Sequence, residues 1–206
     1  MLVSSTHKFI FMHIPKTAGT SMRNVLHPYT TAPQGSAKNA HAQPSSFKNE
    51  HLGASEIKNL LLPNVWDTYY KFAFVRNPWA LMLSHYLYFK RSSGTSELHK
   101  KAKLGDFTSY ILWYFSRTAD VAKFINGFSD FITIDSCIKI DYIGKYENLN
   151  KDFNHVLSAL NIVNYKELPI KNTTTHGNYR TYYNCHTESV VKKAFEKHLD
   201  YFKYRF

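Results

Sequence analysis

Residues 8–21, KFIFMHIPKTAGTS, decide the fold of this 206-residue chain. Residues 8–13 are almost continuously apolar, and such a run is typical of a strand that is buried on both faces of a sheet. The pattern from Thr20 to Leu26 predicts the start of a helix. The stretch therefore predicts a strand, a short loop and a helix, and in α/β proteins this loop is where phosphates bind.

The loop carries the residue types that a phosphate site needs. Gly19 permits a tight turn or a close approach of the main chain to a ligand. The helix N-terminus adds unpaired N–H groups and a partial positive charge, and Lys16 adds a full charge. Hydroxyl donors are supplied by Thr17, Thr20 and Ser21. The loop differs from the G-x-x-x-x-G-K-[ST] loop of NTPases because its lysine precedes the glycine.

A second strand, loop and helix is predicted from the sequence FAFVRNPWALMLS, which begins at residue 72. Arg76 directly follows the buried strand FAFV, where a guanidinium can form paired hydrogen bonds to a phosphate. Asn77 suits the N-cap of the next helix and Pro78 its first turn. Ser84 lies two turns into that helix. Two such loops can hold the two ends of one bis-phosphorylated nucleotide.

The rest of the chain continues the alternation of helices and strands. Residues 28–50 form a polar segment long enough to be a functional loop, and residues 91–104 are interpreted as a polar connector. Three helices are predicted first: a short one around Ile57, Leu60 and Leu61 that Pro63 ends, one from Pro78 to about Phe89, and one capped by Asp106. Strands at residues 131–134 and 140–146 and a helix from Leu149 to Leu160 follow. An irregular segment at residues 169–182 then precedes a final helix from Glu188 to Phe202. The pattern predicts an α/β fold with a mainly parallel sheet covered by helices on both faces, in a single domain over residues 1–206.

The composition restricts the class of partner. Lys and Arg outnumber Asp and Glu by 26 to 15, and the net charge of +11 favours an anionic partner. The basic residues are scattered and not grouped in blocks, which argues against a nucleic-acid-binding tail. We therefore do not expect nucleic acid as a partner. The 15 Tyr and 15 Phe residues suit sugar rings as well as a core. Cys137 and Cys185 are too few for a disulfide framework, and no spacing typical of metal ligands occurs, so we expect no bound metal.

The N-terminal residues bear on localisation. The first residues, MLVSSTHK, lack the basic start and the apolar core of a secretory signal. No apolar run approaches the roughly 20 residues of a membrane-spanning helix. We expect a cytoplasmic protein, either free or peripheral to a membrane, while a lumenal domain trimmed of its anchor stays open as an alternative.

Together the two loops resemble those of the sulfotransferases that use 3′-phosphoadenosine 5′-phosphosulfate (PAPS), in particular the carbohydrate branch of the Golgi and bacterial polysaccharide type. HIPKTAGTS matches the H-I-P-K-T-[AG]-G-T-S signature of that family, and R-N-P-x-x-x-x-x-S is similar to its 3′-phosphate motif. The resemblance implies a P-loop-like sheet and PAPS as the sulfate donor, with no metal in the reaction. It implies that Arg76 and Ser84 bind the 3′-phosphate. It also implies that the 5′-phosphosulfate is held by Lys16, Thr17, Ala18, Gly19, Thr20 and Ser21.

The resemblance covers nearly all of residues 8–204. Residues 141–149 are similar to the strand-to-helix segment of the family, with Lys145 where Arg is more usual, and residues 172–176 and 179–183 are similar to its C-terminal cofactor-covering loop. One departure lies in the second loop, where family members often read R-N-P-W-D-R-L-V-S and this chain reads RNPWALMLS. The acidic and basic pair is missing, so an ion pair that would support the loop is lost.

Sulfuryl transfer to a sugar hydroxyl needs a base for the hydroxyl proton and positive charge on the leaving phosphate. Of the 11 histidines, His51 ends the long polar segment, where glycan sulfotransferases of this branch tend to carry their catalytic histidine. We expect His51 to take the proton while Lys16 stabilises the departing phosphate. His41 and the carboxylate of Glu50 are the alternatives, and His13 is interpreted as structural.

From the sequence, two other classes remain open. A P-loop-type nucleotide kinase would share the first loop, although the chain lacks the G-K-[ST] end and an evident Asp for magnesium. A basic module that binds glycans or nucleic acids without catalysis would also account for the net charge. The expected acceptor is a glycan or glycolipid, an anionic polysaccharide included, and residues 28–50 and 91–104 are expected to form the walls of its cleft.

Overall fold

A computed structural model describes residues 1–30, 51–117, 130–163, 165, 167, 168 and 177–206. The chain divides into two compact units that alternate along the sequence. The sheet unit comprises residues 1–75 and 128–171, and the helical unit comprises residues 76–127 and 172–206. Among the described residues, no helix is long and apolar enough to cross a membrane.

The sheet unit is built on a four-stranded sheet in which three strands are parallel. In spatial order its strands are β1 (Leu2–Ser4), β2 (Phe9–Met12), β3 (Tyr70–Val75) and β6 (Tyr142–Lys145). The strands β2, β3 and β6 run parallel, whereas β1 pairs antiparallel with β2 at the edge. A separate antiparallel hairpin joins β4 (Thr133–Ile134) and β5 (Cys137–Ile138).

Alternating side chains of the central strands form the core of the sheet unit. On one face, phenylalanines of β2 and β3 pack against α1 (Gly19–Leu26) and α7 (Leu149–Ala159). The intervening residues Ile10 and Met12 are also fully buried, so both faces of β2 are covered. The predicted mixed α/β fold with a mainly parallel sheet flanked by helices is confirmed.

Two short helices, α2 (Ala54–Leu60) and α3 (Pro63–Thr68), lead into β3. The start of α2 is fixed by Gly53, whose N–H donates to Oε2 of Glu56 at 2.7 Å. Pro63 follows the end of α2 as predicted, but it also opens α3, because proline is well suited to a position where no N–H is needed.

The helical unit contains five α-helices among its described residues. These are α4 (Pro78–Arg91), α5 (Glu97–Leu104), α6 (Phe107–Ser116), α8 (Cys185–Ala194) and α9 (Glu196–Phe202). A single 3₁₀ turn at Tyr179–Tyr182 precedes α8. The predicted cap of α6 is confirmed, since Asp106 Oδ1 accepts from the N–H of Ser109 at 2.7 Å.

Three sequence predictions differ from the structure, and one strand was not predicted. Residues 91–104 are not a connector throughout, because they include α5, whose only buried residue is Ala102. The predicted final helix is two helices, because the main chain leaves helical geometry at Phe195. The strand expected at residues 131–134 is shorter and belongs to the small hairpin, and the edge strand β1 was not predicted.

Candidate active site

The loop that joins β2 to α1 has an unusual main-chain geometry. Lys16 and Ala18 have φ angles of 65° and 66°, and Thr17 between them is not in the positive-φ region. Left-handed conformations at residues other than glycine are costly and concentrate at functional sites. Alternating left- and right-handed residues direct successive N–H groups into a concavity that binds anions. The loop therefore has the costly main-chain geometry that is typical of a functional site.

The loop is braced from within. The Thr17 side chain is almost fully buried, and its hydroxyl donates to the carbonyl of Ile14 at 2.8 Å. Because the hydroxyl proton of Thr17 is used in this hydrogen bond, Thr17 can donate to a ligand only through its main-chain N–H. The hydroxyl-bearing residue Thr20 is exposed at the start of α1, whereas Ser21 is buried. Lys16 itself is half-buried.

The N-terminus of α1 is capped by a residue that has no polar side chain. Ala18 is the cap, and its carbonyl accepts from the N–H groups of Ser21 and Met22 at 3.0 and 3.2 Å. An alanine cannot accept from the N–H groups of the first turn in the way that Ser or Asp would. The N–H groups of Gly19 and Thr20, which precede those of Ser21 and Met22, therefore make no hydrogen bond to a capping side chain.

Gly19 is required by the ring of His13. A Cβ at Gly19 would lie 1.8 Å from Cδ2 and 1.9 Å from Nε2 of that imidazole. No side chain can be accommodated there unless the ring moves. The sequence predicts a tight turn or a close approach of the main chain to a ligand at Gly19. The structure places the ring of His13, a residue of the same motif, against this glycine.

His13 is buried and uncharged. His13 is 5 % exposed, and its ring stacks on Phe11 with centroids 5.9 Å apart. Its Nδ1 atom has no hydrogen-bond partner among the residues that the structure describes. Burial and, to a smaller extent, the charge of His51 lower the pKa of His13 to about 3. The ring is therefore neutral at physiological pH.

The structure places His51, the predicted base, next to the loop that joins β2 to α1. Nδ1 of the exposed residue His51 lies 2.9 Å from the carbonyl oxygen of His13, and the two ring centroids are 4.6 Å apart. A carbonyl oxygen can only accept, so Nδ1 of His51 must carry the proton. In the neutral ring, Nε2 is then the unprotonated nitrogen that can accept a proton. Residues 13 and 51 are 38 positions apart, and the sequence gives no sign of this pair.

The second loop leads from β3 into α4 in the way that the sequence predicts. Oδ1 of Asn77 accepts from the N–H groups of Trp79 and Ala80 at 3.0 and 3.4 Å, and Pro78 is the first helical residue. The amide of Asn77 also donates to the carbonyl of Arg205 at 2.9 Å. This contact, 128 residues apart, ties the loop to the C-terminal segment of the helical unit.

Arg76 and Ser84, the predicted 3′-phosphate ligands, are each 8 % exposed in the helical unit. Arg76 lies between the end of β3 and the cap of α4, and its main chain is hydrogen-bonded to His198. Burial, opposed by that hydrogen bond, lowers the pKa of His198 to about 4. Ser84 lies in the second turn of α4.

The start of α4 is packed by aromatic residues. Nε1 of Trp79 donates to the carbonyl of Glu188 at 3.2 Å, and the Tyr183 hydroxyl donates to the carbonyl of Trp79 at 2.8 Å. The Trp79 ring meets that of Phe206 edge-on at 5.3 Å. At the position where the family often has an arginine, this chain has Leu81, which is fully buried.

Other predicted site residues lie outside the described ranges. These are His41, Glu50 and residues 172–176. Within the described ranges, no group of three His, Cys, Asp or Glu side chains could hold a metal ion.

Comparisons with known proteins agree with the two loops. A sequence model of the "Sulfotransferase family" matches residues 1–204, which spans both units. An uncharacterized protein of Archaeoglobus fulgidus is 30 % identical over 125 residues, which are 60 % of this chain and 93 % of that protein. No solved structure matches the chain. The match over nearly the whole chain shows that this protein is a transferase that belongs to the sulfotransferase family.

Proposed function

We propose that this sulfotransferase moves a sulfuryl group from PAPS to a hydroxyl of a carbohydrate acceptor, with His51 as the base. The observation that carries the proposal is the hydrogen bond from Nδ1 of His51 to the carbonyl of His13. It leaves Nε2 of His51 able to accept a proton and attaches the base to the loop that contains Lys16. The family match over residues 1–204 includes both loops.

The first loop binds the 5′-phosphosulfate in this proposal. Its support is the left-handed main chain at Lys16 and Ala18, the N-terminus of α1, which has no capping side chain, and the charge of Lys16. The residues expected to bind the phosphosulfate, Lys16 to Ser21, lie on this loop and on the first turn of α1.

The second loop binds the 3′-phosphate through Arg76 and Ser84. This part of the proposal is supported by the family motif and by the firm placement of the Arg76 main chain next to the capped start of α4. A guanidinium is well suited to bind a phosphate because it can form two parallel hydrogen bonds to it. The strands β2 and β3 are parallel neighbours, and these two loops are the segments that follow them in the chain.

The reaction follows from these roles. The acceptor oxygen attacks sulfur, and its proton passes to Nε2 of His51. The bond between sulfur and the bridging oxygen breaks, and its electron pair leaves with the 3′,5′-bisphosphate. Lys16 stabilises the charge that develops on that oxygen. Because the sulfuryl group is already activated, rate acceleration depends on positioning and charge, and the base contributes roughly 10²–10⁴-fold.

The acceptor is a glycan or glycolipid hydroxyl in this proposal. The resemblance of both loop motifs to the carbohydrate branch supports it, and the net charge of +11 suits an anionic polysaccharide. A transfer screen with labelled sulfate over glycans, lipids and simple phenols tests this part. Transfer to sugars is expected, and strong transfer to phenols with none to sugars would contradict it.

Calorimetry with 3′-phosphoadenosine 5′-phosphate tests donor binding. We expect micromolar affinity that depends on the 3′-phosphate and collapses in Arg76→Ala. Arg91→Ala removes an exposed arginine at the far end of the same helix and serves as the matched control, with affinity unchanged. Equal affinity for AMP and for the bisphosphate would contradict the assignment.

A further inference from the structure

His51 is an exposed side chain whose ring needs support if it is to act as a base. A free imidazole exchanges its proton between Nδ1 and Nε2 and rotates about its side-chain bonds, and each freedom lowers the population that is ready to accept a proton. Two contacts of His51 restrict these freedoms. Both contacts are with His13: the hydrogen bond of 2.9 Å and the ring contact of 4.6 Å.

We propose that His13 is the positioning residue for His51. Its carbonyl holds the Nδ1–H, and its ring supports the ring of His51, so that Nε2 of His51 is the nitrogen presented to the acceptor. The final step, proton transfer from the acceptor, rests on the function proposed above. The positioning itself does not, because it concerns the protein without substrate.

His13 is well placed for this role because it is held on two other sides. Its ring stacks on Phe11 of β2, which is 1 % exposed in the sheet core. Its Nε2 edge lies against the main chain of Gly19, at the start of α1. The His13 side chain thus contacts strand β2, the start of α1 and the ring of His51. The position of His51 is therefore fixed relative to the sheet.

The chemistry of the His13 ring also suits the role. The groups whose positive charge acts on His13 are His51, the amino group of Met1 and Arg23. Because His13 is buried it stays neutral beside His51. A positive charge 4.6 Å from His51 would oppose the proton that His51 must accept, and a neutral ring does not. A buried nitrogen without a partner is also costly, so an apolar side chain would serve better if His13 only filled space.

Nitrogen NMR of the histidine rings in the intact protein, without substrate, tests the positioning. In the wild type we expect His51 to be the tautomer with hydrogen on Nδ1. In His13→Asn, which removes the ring but keeps the carbonyl, we expect that preference to weaken and the ring signals of His51 to broaden. A wild-type His51 with its hydrogen on Nε2 overturns the proposal, and this result needs no variant to fold.

Turnover supplies the second readout. In His13→Asn we expect the turnover number to fall about tenfold, because misplacement of the base slows the chemical step. The affinity for 3′-phosphoadenosine 5′-phosphate should change less than about threefold, because the loss arises after donor binding. An unchanged turnover number, or a loss that lies wholly in donor affinity, overturns the role of His13 in positioning the base.

His155→Asn is the matched control. His155 is an exposed histidine of the same unit, and its ring lies 4.6 Å from that of Tyr142. The same substitution there removes a ring contact of the same length and should leave the His51 signals and the turnover number unchanged. If the tautomer responds to His13→Asn as expected but the wild type transfers no sulfuryl group, the proposed function fails and the positioning stands.

Discussion

The loop after β2 and the loop after β3 are held by different parts of the chain. The first loop is braced by its own residues, through the hydrogen bond from Thr17 to Ile14 and the fit of His13 against Gly19. The second is braced by residues far along the sequence, since Asn77 donates to Arg205 and Tyr183 donates to Trp79. Each loop also has one buried neutral histidine beside it.

This difference predicts where substitutions will act. The first loop takes its shape from a nine-residue motif, so local changes should break it. The second takes its shape from segments about 100 or more residues away, so changes at the C-terminal end of the chain should reach Arg76. His51 stands apart from both, because its contact with the first loop is made through one carbonyl.

The largest expected effect is that of His51→Ala. Loss of the base should lower the turnover number by roughly 10²–10⁴-fold and leave donor affinity nearly unchanged, since the first loop is braced without the His51 side chain. Steady-state kinetics and calorimetry measure the two quantities. If the variant keeps more than about a third of wild-type turnover, His41 or Glu50 should be tested as the base, and donor binding would still stand.

Gly19→Ala should break the first loop. The added Cβ would lie 1.8 Å from the His13 ring, and overpacking of this kind destabilises by about 1–3 kcal/mol. We expect the free energy of unfolding to fall by this amount and donor affinity to fall with it. The control is Gly177→Ala, where an added Cβ meets nothing within 4 Å. Equal effects of the two substitutions would show that the contact with His13 does not define the loop.

Acid should destabilise the protein through both buried histidines. The pKa values of His13 and His198 in the folded protein are about 3 and about 4, below the ordinary value of 6.5. Between the pKa of a histidine in the folded protein and its ordinary value of 6.5, the unfolded chain binds more protons than the folded protein does. The contribution of each histidine to the free energy of unfolding is therefore fully present above about pH 6.5 and falls as the pH is lowered. We expect up to about 2 kcal/mol per histidine to be lost between pH 6.5 and pH 5.

Urea unfolding at several pH values measures this loss. His198→Phe removes one of the two groups and should make the dependence of stability on pH shallower, whatever its effect on stability at neutral pH. A slope that stays the same in this variant would contradict the assignment of His198 as a buried neutral group.

The smallest expected effect concerns the second loop. Asn77→Ala removes the helix cap and the hydrogen bond to Arg205, each worth about 1 kcal/mol. Asn77→Ser keeps a capping oxygen and lacks the amide, so it should recover about half of the lost stability. Thermal unfolding measures both. The affinity for the 3′-phosphate should stay reduced in Asn77→Ser if the tie to Arg205 places Arg76, and full recovery would argue against that tie.

The sequence predicts the features that depend on neighbouring residues. The buried strands β2 and β3 follow from continuous apolar runs, and the caps at Asn77 and Asp106 follow from single residues before a helix. The helix α5 could not be predicted in this way, because with only Ala102 buried it has no apolar stripe.

The parts of the site that could not be predicted are contacts between distant residues. Nothing in the pattern around His13 indicates that its carbonyl meets His51, since the pair depends on the path of the chain between them. The contact between Gly19 and the His13 ring could not be predicted either. In a sequence, a glycine that a ligand approaches cannot be distinguished from a glycine against which a side chain packs. The motif indicates the protein family, and the fold determines which residues lie around the motif.

Transfer of labelled sulfate from PAPS to a glycan mixture tests the central claim most directly. The wild type should transfer sulfate, and Lys16→Ala should lose most of the turnover and bind the 5′ end of the donor more weakly. Lys139→Ala, which removes an exposed lysine of the same unit, should behave as the wild type. Absence of transfer from PAPS by the wild type, or equal transfer by Lys16→Ala and Lys139→Ala, would contradict the account.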